Sequence, residues 1–406
     1  MADLLYLVHR MPYPPNKGDK VRSYHLLKHL VSQHRVFLGT FIDDPADEPY
    51  IDTLRALCAG LYVARLDPRL AKLRSLRGLL QGDALTLGYY RDAGLTQWVA
   101  RTLSANDIRT AVVFSSSMAQ YVEQVSDLRV LVDFVDVDSA KWTDYAKVRR
   151  WPASWLYQRE GATLLTYERA VAAAANRSFF VTDKEVELFS SLAPECAAHV
   201  QAMGNGVDTV FFSHEAARIQ PFDAAEIPIV FTGAMDYWPN ADAVIWFARE
   251  VLPALRSRWP AVRFSVVGRN PSPEVRALAG DAVRVTGTVP DVRPWLQHAA
   301  VVVAPLRLAR GVQNKVLEAM AMSCPVVAAT RCADTIDADV GVHLLAASTA
   351  ADYVREIGAL LGDRERGTAL GRAARSRVVA RYGWTAQLST LDAHLVPAVA
   401  PEAAAN

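Results

Sequence analysis

The stretch Ala304–Ala328, APLRLARGVQNKVLEAMAMSCPVVA, decides how this chain reads. It leaves a valine-rich strand through a loop holding Arg307, Arg310 and Gly311, continues as a helix bearing Lys315 and Glu318, and ends in a second strand. Strand, turn, helix and strand in that order make a parallel βαβ unit. A helix start preceded by a glycine and flanked by cations suits a phosphate or diphosphate, because its unpaired N–H groups and positive dipole end face the anion. Glu318 falls within the first two turns, where a carboxylate can accept hydrogen bonds from a sugar diol on a ligand seated at the helix start. The plainer alternative is a surface helix with a Lys315–Glu318 pair three residues apart.

The same alternation extends outward in both directions. In the second half, strands at Ile229–Gly233, Arg263–Gly268, Ala300–Pro305 and Pro325–Ala329 alternate with helices beginning near Asn240, Pro273, Val292 and Gln313. In the first half, strands are expected at Leu4–Val8, Val36–Ile42, Leu61–Leu66, Ala111–Ser115, Val130–Phe134 and Phe179–Thr182, separated by helices such as Lys20–Ser32 and Ser154–Ala175. The class is α/β throughout. A length of 406 residues fits two domains. The boundary is expected between Phe212 and Pro228, where no apolar period persists, giving domains 1–215 and 226–382. After Gly383, Thr385 is a candidate N-cap for a helix spanning 383–398 with Leu388, Leu391 and Leu395 on one stripe.

Composition narrows the function. Lys plus Arg total 44 against 43 for Asp plus Glu, so overall charge gives no case for a nucleic acid partner. Cys58, Cys196, Cys324 and Cys332 form no C-x-x-C pair, which argues against a zinc knot and fits a reducing cytoplasm. An acid precedes the first apolar run, unlike a signal peptide, and no stretch of 18 uncharged apolar residues occurs, so any membrane contact is expected to be peripheral. The stretch from Arg65 to Leu80 interleaves Arg69, Lys72, Arg74 and Arg77 with leucines; it reads either as a face for anionic lipid or as a core-packed helix with a solvated basic side. Arg149, Arg150 and Trp151, with Trp155 and Tyr157, form a second basic-aromatic cluster.

At strand ends, where α/β proteins place ligands, stand His9, Asp133, Asp136 and Asp138. Asp136-Val137-Asp138 spells a D-x-D triplet that elsewhere binds a divalent metal on a diphosphate, a competing reading. Gly18 opens a helix after Pro14-Pro15-Asn16-Lys17, as a tight turn or a phosphate loop. Lys17, Lys20 and Arg22 are either cations for that loop or solvated helix-start charges. His25 and His29 have i, i+4 spacing but no third zinc ligand nearby. Gly204-Asn205-Gly206-Val207-Asp208 reads as a turn with left-handed residues.

LEAMAMSCPVVA at Leu317–Ala328, GNGVD at Gly204–Asp208 and ARSRVVARYGW at Ala374–Trp384 resemble glycosyltransferase family 4, and their order and spacing match across nearly the whole chain. YPPNKGDKVRSYHLL, DFVDVDSAKW and GAMDYWPNADAVIWF are similar to the bacterial sugar transferases associated with PEP-CTERM/exosortase exopolysaccharide systems. The resemblance implies the GT-B fold: two Rossmann-like domains facing a cleft, with the C-terminal helix crossing back to the N-terminal domain. It implies transfer of a sugar from a nucleotide-diphosphate donor to the hydroxyl of a glycan or lipid-linked acceptor, with retention, no metal and no other cofactor, at the inner face of the cytoplasmic membrane. Glu318 would hold the nucleotide ribose. The family's preceding glutamate falls at Arg310, and the cations it carries after the first strand of the donor domain are missing from Gly233–Asn240. The donor set implied is therefore Lys17, Gly18, Gly233, Arg307, Arg310, Gly311, Lys315, Leu317 and Glu318, with Arg310, Lys315 and Arg307 neutralising the diphosphate. His9, Asp133 and Asp136 would face the reaction on the acceptor side. The alternatives are a nucleotide-sugar epimerase, a phosphorylase and a non-catalytic nucleotide-sugar binding protein.

Overall fold

The computed structural model describes residues 1–15, 18–147, 150–214, 217–307 and 312–395. They divide into two compact units, Met1–Asn205 with the chain from Gln387 onward, and Gly206–Ala386.

The first unit is built on β1 (Asp3–Val8), β2 (Arg35–Ile42), β3 (Gly60–Arg65), β4 (Ile108–Phe114), β5 (Arg129–Val135), β6 (Arg177–Phe180) and β7 (Val200–Ala202), in the order β3-β2-β1-β4-β5-β6-β7. All pairings are parallel, in register from Asp3↔Arg35 to Val8↔Thr40 between β1 and β2. The second unit repeats the plan with β8 (Ile227–Thr232), β9 (Val262–Val267), β10 (Val283–Gly287), β11 (Val301–Ala304), β12 (Val326–Ala329) and β13 (Leu345–Ala347), in the order β10-β9-β8-β11-β12-β13. Central strands such as Val301–Ala304 are buried at every position, as a parallel sheet covered by helices on both faces requires. Each valine so buried contributes about 1.5–3 kcal/mol relative to exposure.

In each sheet the strand order reverses once beside the first strand, between β1 and β4 and between β8 and β11. A crevice opens at the carboxyl ends of strands at such a switch point. His9 and Ser115 follow β1 and β4 in the first unit; Gly233 and the loop after Pro305 follow β8 and β11 in the second.

The expected strands occur with ends shifted by one to three residues, and β7, β10 and β13, short and at or near sheet edges, were not anticipated. The chain passes between units at Asn205/Gly206, ahead of the stretch 212–228. The reason is that Val207 N–H donates to the Tyr382 carbonyl and Arg375 donates to the carbonyls of Phe212 and Thr209, tying this stretch to the second unit's helix Arg364–Tyr382. No residue of Gly204–Asp208 is left-handed; Gly206 is needed because a Cβ there would lie 2.6 Å from the Trp384 ring. The last helix runs Trp384–Leu395, so Thr385 lies inside it and is not its cap. Its Leu388, Leu391 and Leu395 are buried, Asp392 accepts from His29 at 2.6 Å, and the His394 carbonyl accepts from Arg129, which fastens the C-terminal helix to the first unit. Among the described residues no helix is long and apolar enough to cross a membrane.

Candidate functional site

In the second unit, helix Asn314–Ala321 buries Val316, Leu317, Ala319, Met320 and Ala321, which leaves Lys315 and Glu318 on its other side. Lys315 Nζ donates to Asn240 Oδ1 and lies 4.4 Å from the centroid of the Phe231 ring, a cation–π contact beneath the ammonium. Asn240 Nδ2 in turn donates to the Ala234 carbonyl at 2.8 Å, so the amide is oriented from both ends. Gly233, at φ 153°, completes the group: a Cβ there would fall 2.9 Å from Lys315 Nζ and 2.8 Å from Asn240 Nδ2. Only glycine leaves the ammonium room over the end of β8.

Burial pulls the Lys315 pKa down to about 8, with Glu318 opposing, and pushes the Glu318 carboxyl up to about 7, with Lys315 opposing. The Glu318 carboxylate accepts no hydrogen bond among the described residues. A partly desolvated cation and an unspent carboxylate three residues apart, at the switch point of a Rossmann-like sheet, can neutralise a diphosphate and receive a diol.

Other expected donor residues stand elsewhere. Leu317 is 1% exposed and belongs to the core, so its side chain contacts no ligand. Arg307 is turned to Asp242, with Nε to Oδ2 at 2.9 Å, and borders depressions of about 470 and 490 Å³ that Gly233, Lys315 and Glu318 do not line. Its guanidinium is spent, so of the cations expected at the diphosphate Lys315 alone is placed over Gly233 among the described residues. Lys17, Arg310 and Gly311 lie outside the described residues. Asn240 and Phe231 were not singled out in the sequence, though Asn240 stands in the quoted cation-free loop, where an amide that orients a lysine carries no charge signature.

In the first unit a cavity of about 840 Å³ opens at the carboxyl ends of β1, β4 and β5. His9 forms part of its wall, its ring parallel to Phe114 at 5.8 Å and edge-on to Tyr90 at 5.5 Å. His9 Nδ1 is buried without a hydrogen-bond partner among the described residues, and Nε2 is 3.7 Å from Asp19 Oδ2. Burial works against ionisation of Asp19, but His9 and Arg10 outweigh it and hold its carboxyl well below the usual range. Ser115 and Val135, both lining the cavity, have φ of 76° and 69°. A left-handed valine costs on the order of 1–3 kcal/mol, and such strain persists where neighbours hold it, commonly at functional sites.

Asp136 lines this cavity; Asp133 does not. Arg22 Nε and Nη2 donate to the two Asp133 oxygens at 2.8 and 3.0 Å, and both residues are 1% exposed. Arg22 also donates to the carbonyls of Met203 and Gly204 and to Asn205 Oδ1. Asp133 is thus the counter-charge of a buried arginine that ties β5 to the end of β7, and not an acceptor-side group. Lys20 is likewise buried and paired with Asp47, so neither cation is solvated or turned to a phosphate. Gly18 opens the helix Gly18–Gln33, and a Cβ there would meet nothing within 4 Å, so packing alone does not demand it.

The D-x-D pair is occupied from within. Lys141 Nζ donates to Asp136 Oδ2 at 2.7 Å and to Asp138 Oδ1 at 3.1 Å, standing between the carboxylates where a divalent ion would bridge them. Burial alone would lower the Lys141 pKa, but Asp138 and Asp136 outweigh it and raise it. Lys141 was missed because in sequence it reads as an ordinary helix-surface charge.

Known proteins bear on both halves. Residues 226–363 match the family model of glycosyl transferases group 1. Three solved structures cover 97% of this chain: Anabaena HepE in complex with UDP (TM-score 0.62, 15% identity, 99% of that chain), a glycosyltransferase from Rickettsia africae (0.62, 12%, 97%) and sucrose-phosphate synthase from Thermosynechococcus elongatus (0.58, 15%, 98%). The fold is GT-B. At these identities the likeness is one of fold. No curated protein matches the chain in sequence.

Proposed function

We propose that the protein is a glycosyltransferase that moves a sugar from a nucleoside-diphosphate donor to an acceptor hydroxyl. The observation that carries the reading is the group Gly233–Asn240–Lys315–Glu318, held at the switch point inside the segment that matches glycosyl transferases group 1. Glu318 would accept from the ribose diol and Lys315 would meet the diphosphate over the glycine. UDP is the first nucleotide to try, since Anabaena HepE is solved with UDP and with UDP-glucose.

Bond breaking at the anomeric carbon leaves negative charge on the departing diphosphate. A preorganised donor at such a site contributes about 10²–10³ in rate, and each tenfold takes about 1.4 kcal/mol. Lys315 is such a donor: its ammonium is already desolvated and oriented by Asn240 and Phe231. The departing phosphate oxygen can accept the acceptor proton, so Asp136 and His9 serve to position the acceptor. Lys141 between Asp136 and Asp138 supports a metal-independent reaction. Retention and an exopolysaccharide or other cell-surface glycan as product rest on the family resemblance, and the free thiols with a nucleotide-sugar substrate support a cytoplasmic enzyme.

The test is nucleoside diphosphate release from a panel of nucleotide sugars, with and without candidate acceptors and with chelator present. Release that rises with an acceptor and survives chelation is expected, and the anomeric configuration of the product reads retention. Conversion of the donor sugar without nucleotide release would assign an epimerase, and binding without turnover a non-catalytic protein; either would overturn the reading.

A further inference from the structure

One flank of the first unit's cavity has its amphipathic pattern reversed. Helices Pro68–Ser75 and Arg77–Gln81 turn Ala71, Ser75 and Gly78 inward, whereas Leu70, Leu73 and Leu80 are 65%, 67% and 93% exposed. The inward side is shaped for close approach: a Cβ on Gly88 would lie 3.0 Å from Ser75 Cα, so the helix packs on Leu85–Tyr89 through small residues. A helix that served only the core would bury its leucines. Arg69, Lys72, Arg74 and Arg77 stand exposed among them, and the neighbouring acid, Asp67, is spent on capping the helix through the N–H groups of Arg69 and Leu70.

A second element borders this ridge. Trp151 and Trp155 are 80% and 55% exposed at the start of helix Ala153–Ala174. One turn on, Arg159 donates to the carbonyls of Gly78 and Asp83, at 2.8 and 3.1 Å, which fixes this helix start beside the end of the leucine ridge. The ridge is also continuous with the cavity, whose wall includes Lys72, Ser75 and Leu76 on one side and the half-exposed Tyr145 with Trp142 on the other.

We propose that this face seats on an anionic lipid bilayer. Leucines in the acyl boundary, cations at the headgroups and indoles at the interface are the three components of such a contact. Charge complementarity selects the anionic leaflet over a neutral one. The docking stands on the ridge alone and does not rest on the glycosyl-transfer reading.

The test is flotation of the full chain with vesicles of phosphatidylglycerol and phosphatidylcholine in equal parts, against phosphatidylcholine alone. The protein is expected to float with the anionic vesicles, less so at high salt. Leu73→Ser with Leu80→Ser, neither lining the cavity, should lower partitioning about 100-fold, on the order of tenfold per exposed leucine. Arg69→Gln and Arg77→Gln should lower it about fivefold each. Circular dichroism, melting and UDP binding of these variants should match the unmodified chain. A chain that stays with the soluble fraction, or a double leucine variant that floats equally well, overturns the proposal. A concentration-dependent dimer that the leucine variants dissolve, without flotation, gives the face to a second copy instead. Because flotation is read without any donor, its failure leaves the transfer reading untouched, and failure of donor binding leaves the docking untouched.

Discussion

Removal of Asp133 separates a structural from a catalytic role for the aspartate at the end of β5. In Asp133→Ala, Arg22 keeps its bonds to the Met203 and Gly204 carbonyls and to Asn205 but loses its counter-charge and two bonds of 2.8 and 3.0 Å, in a site where both side chains are 1% exposed. Breaking one side of a buried pair costs about 3–5 kcal/mol, because an uncompensated charge is left inside. Divided by a urea dependence of about 2–3 kcal/mol per molar, this lowers the unfolding midpoint of the first unit by about 1–2.5 M. Since the two units need not unfold together, hydrogen exchange of peptides from β5 and from helix Gly18–Gln33 along a urea series is the appropriate readout. Adding Arg22→Met should restore most of the loss, as replacing both members of a buried pair by apolar groups is often neutral. A midpoint within about 0.3 M of the unmodified protein, with turnover abolished, would refute the structural assignment.

Gly233→Ala should lower nucleoside diphosphate affinity at least tenfold and destabilise the second unit by about 1–3 kcal/mol, since its φ of 153° and the Lys315 ammonium both reject a Cβ; calorimetric titration and a thermal melt check the two halves. Glu318→Gln should weaken donor binding yet raise the melting temperature at pH 8 and not at pH 4. The sign follows from a carboxyl held at about 7 in the fold against about 4.3 unfolded: the burial penalty is absent below the unfolded value and complete above the folded one. Donor affinity should fall as the pH rises past about 8, where unliganded Lys315 loses its charge, in a titration that Lys315→Met flattens.

Much of the fold could be read from the sequence because parallel strands announce themselves as apolar runs, and Val301–Ala304 and Leu4–Val8 are buried on both faces as such runs require. Short strands such as Leu345–Ala347 escaped, because three residues carry no period. At the site, spacing placed Lys315 and Glu318 on one side of their helix, and the fold sets Gly233 against the Lys315 ammonium. Partnerships were not legible. Asp133 and Arg22 lie 111 residues apart, Arg307 and Asp242 lie 65 apart, and only the folded chain shows which charges neutralise one another and which remain for a ligand. The same blindness hid Lys141, whose ammonium pairs with both Asp136 and Asp138. Sequence left the leucine ridge open between core and surface; the small residues beneath it resolve that.

The most direct test of the account is calorimetric titration of the purified chain with UDP, GDP and ADP, repeated on Lys315→Met and Glu318→Ala. A hydrogen bond to a charged group is worth about 1.5–3 kcal/mol, or roughly 10- to 100-fold in affinity. Saturable binding of at least one nucleoside diphosphate, weakened by that factor in each variant without loss of fold, is the expected result. Binding of none of the three, or equal binding by the unmodified chain and both variants, would contradict the assignment of Gly233, Lys315 and Glu318 as the donor site.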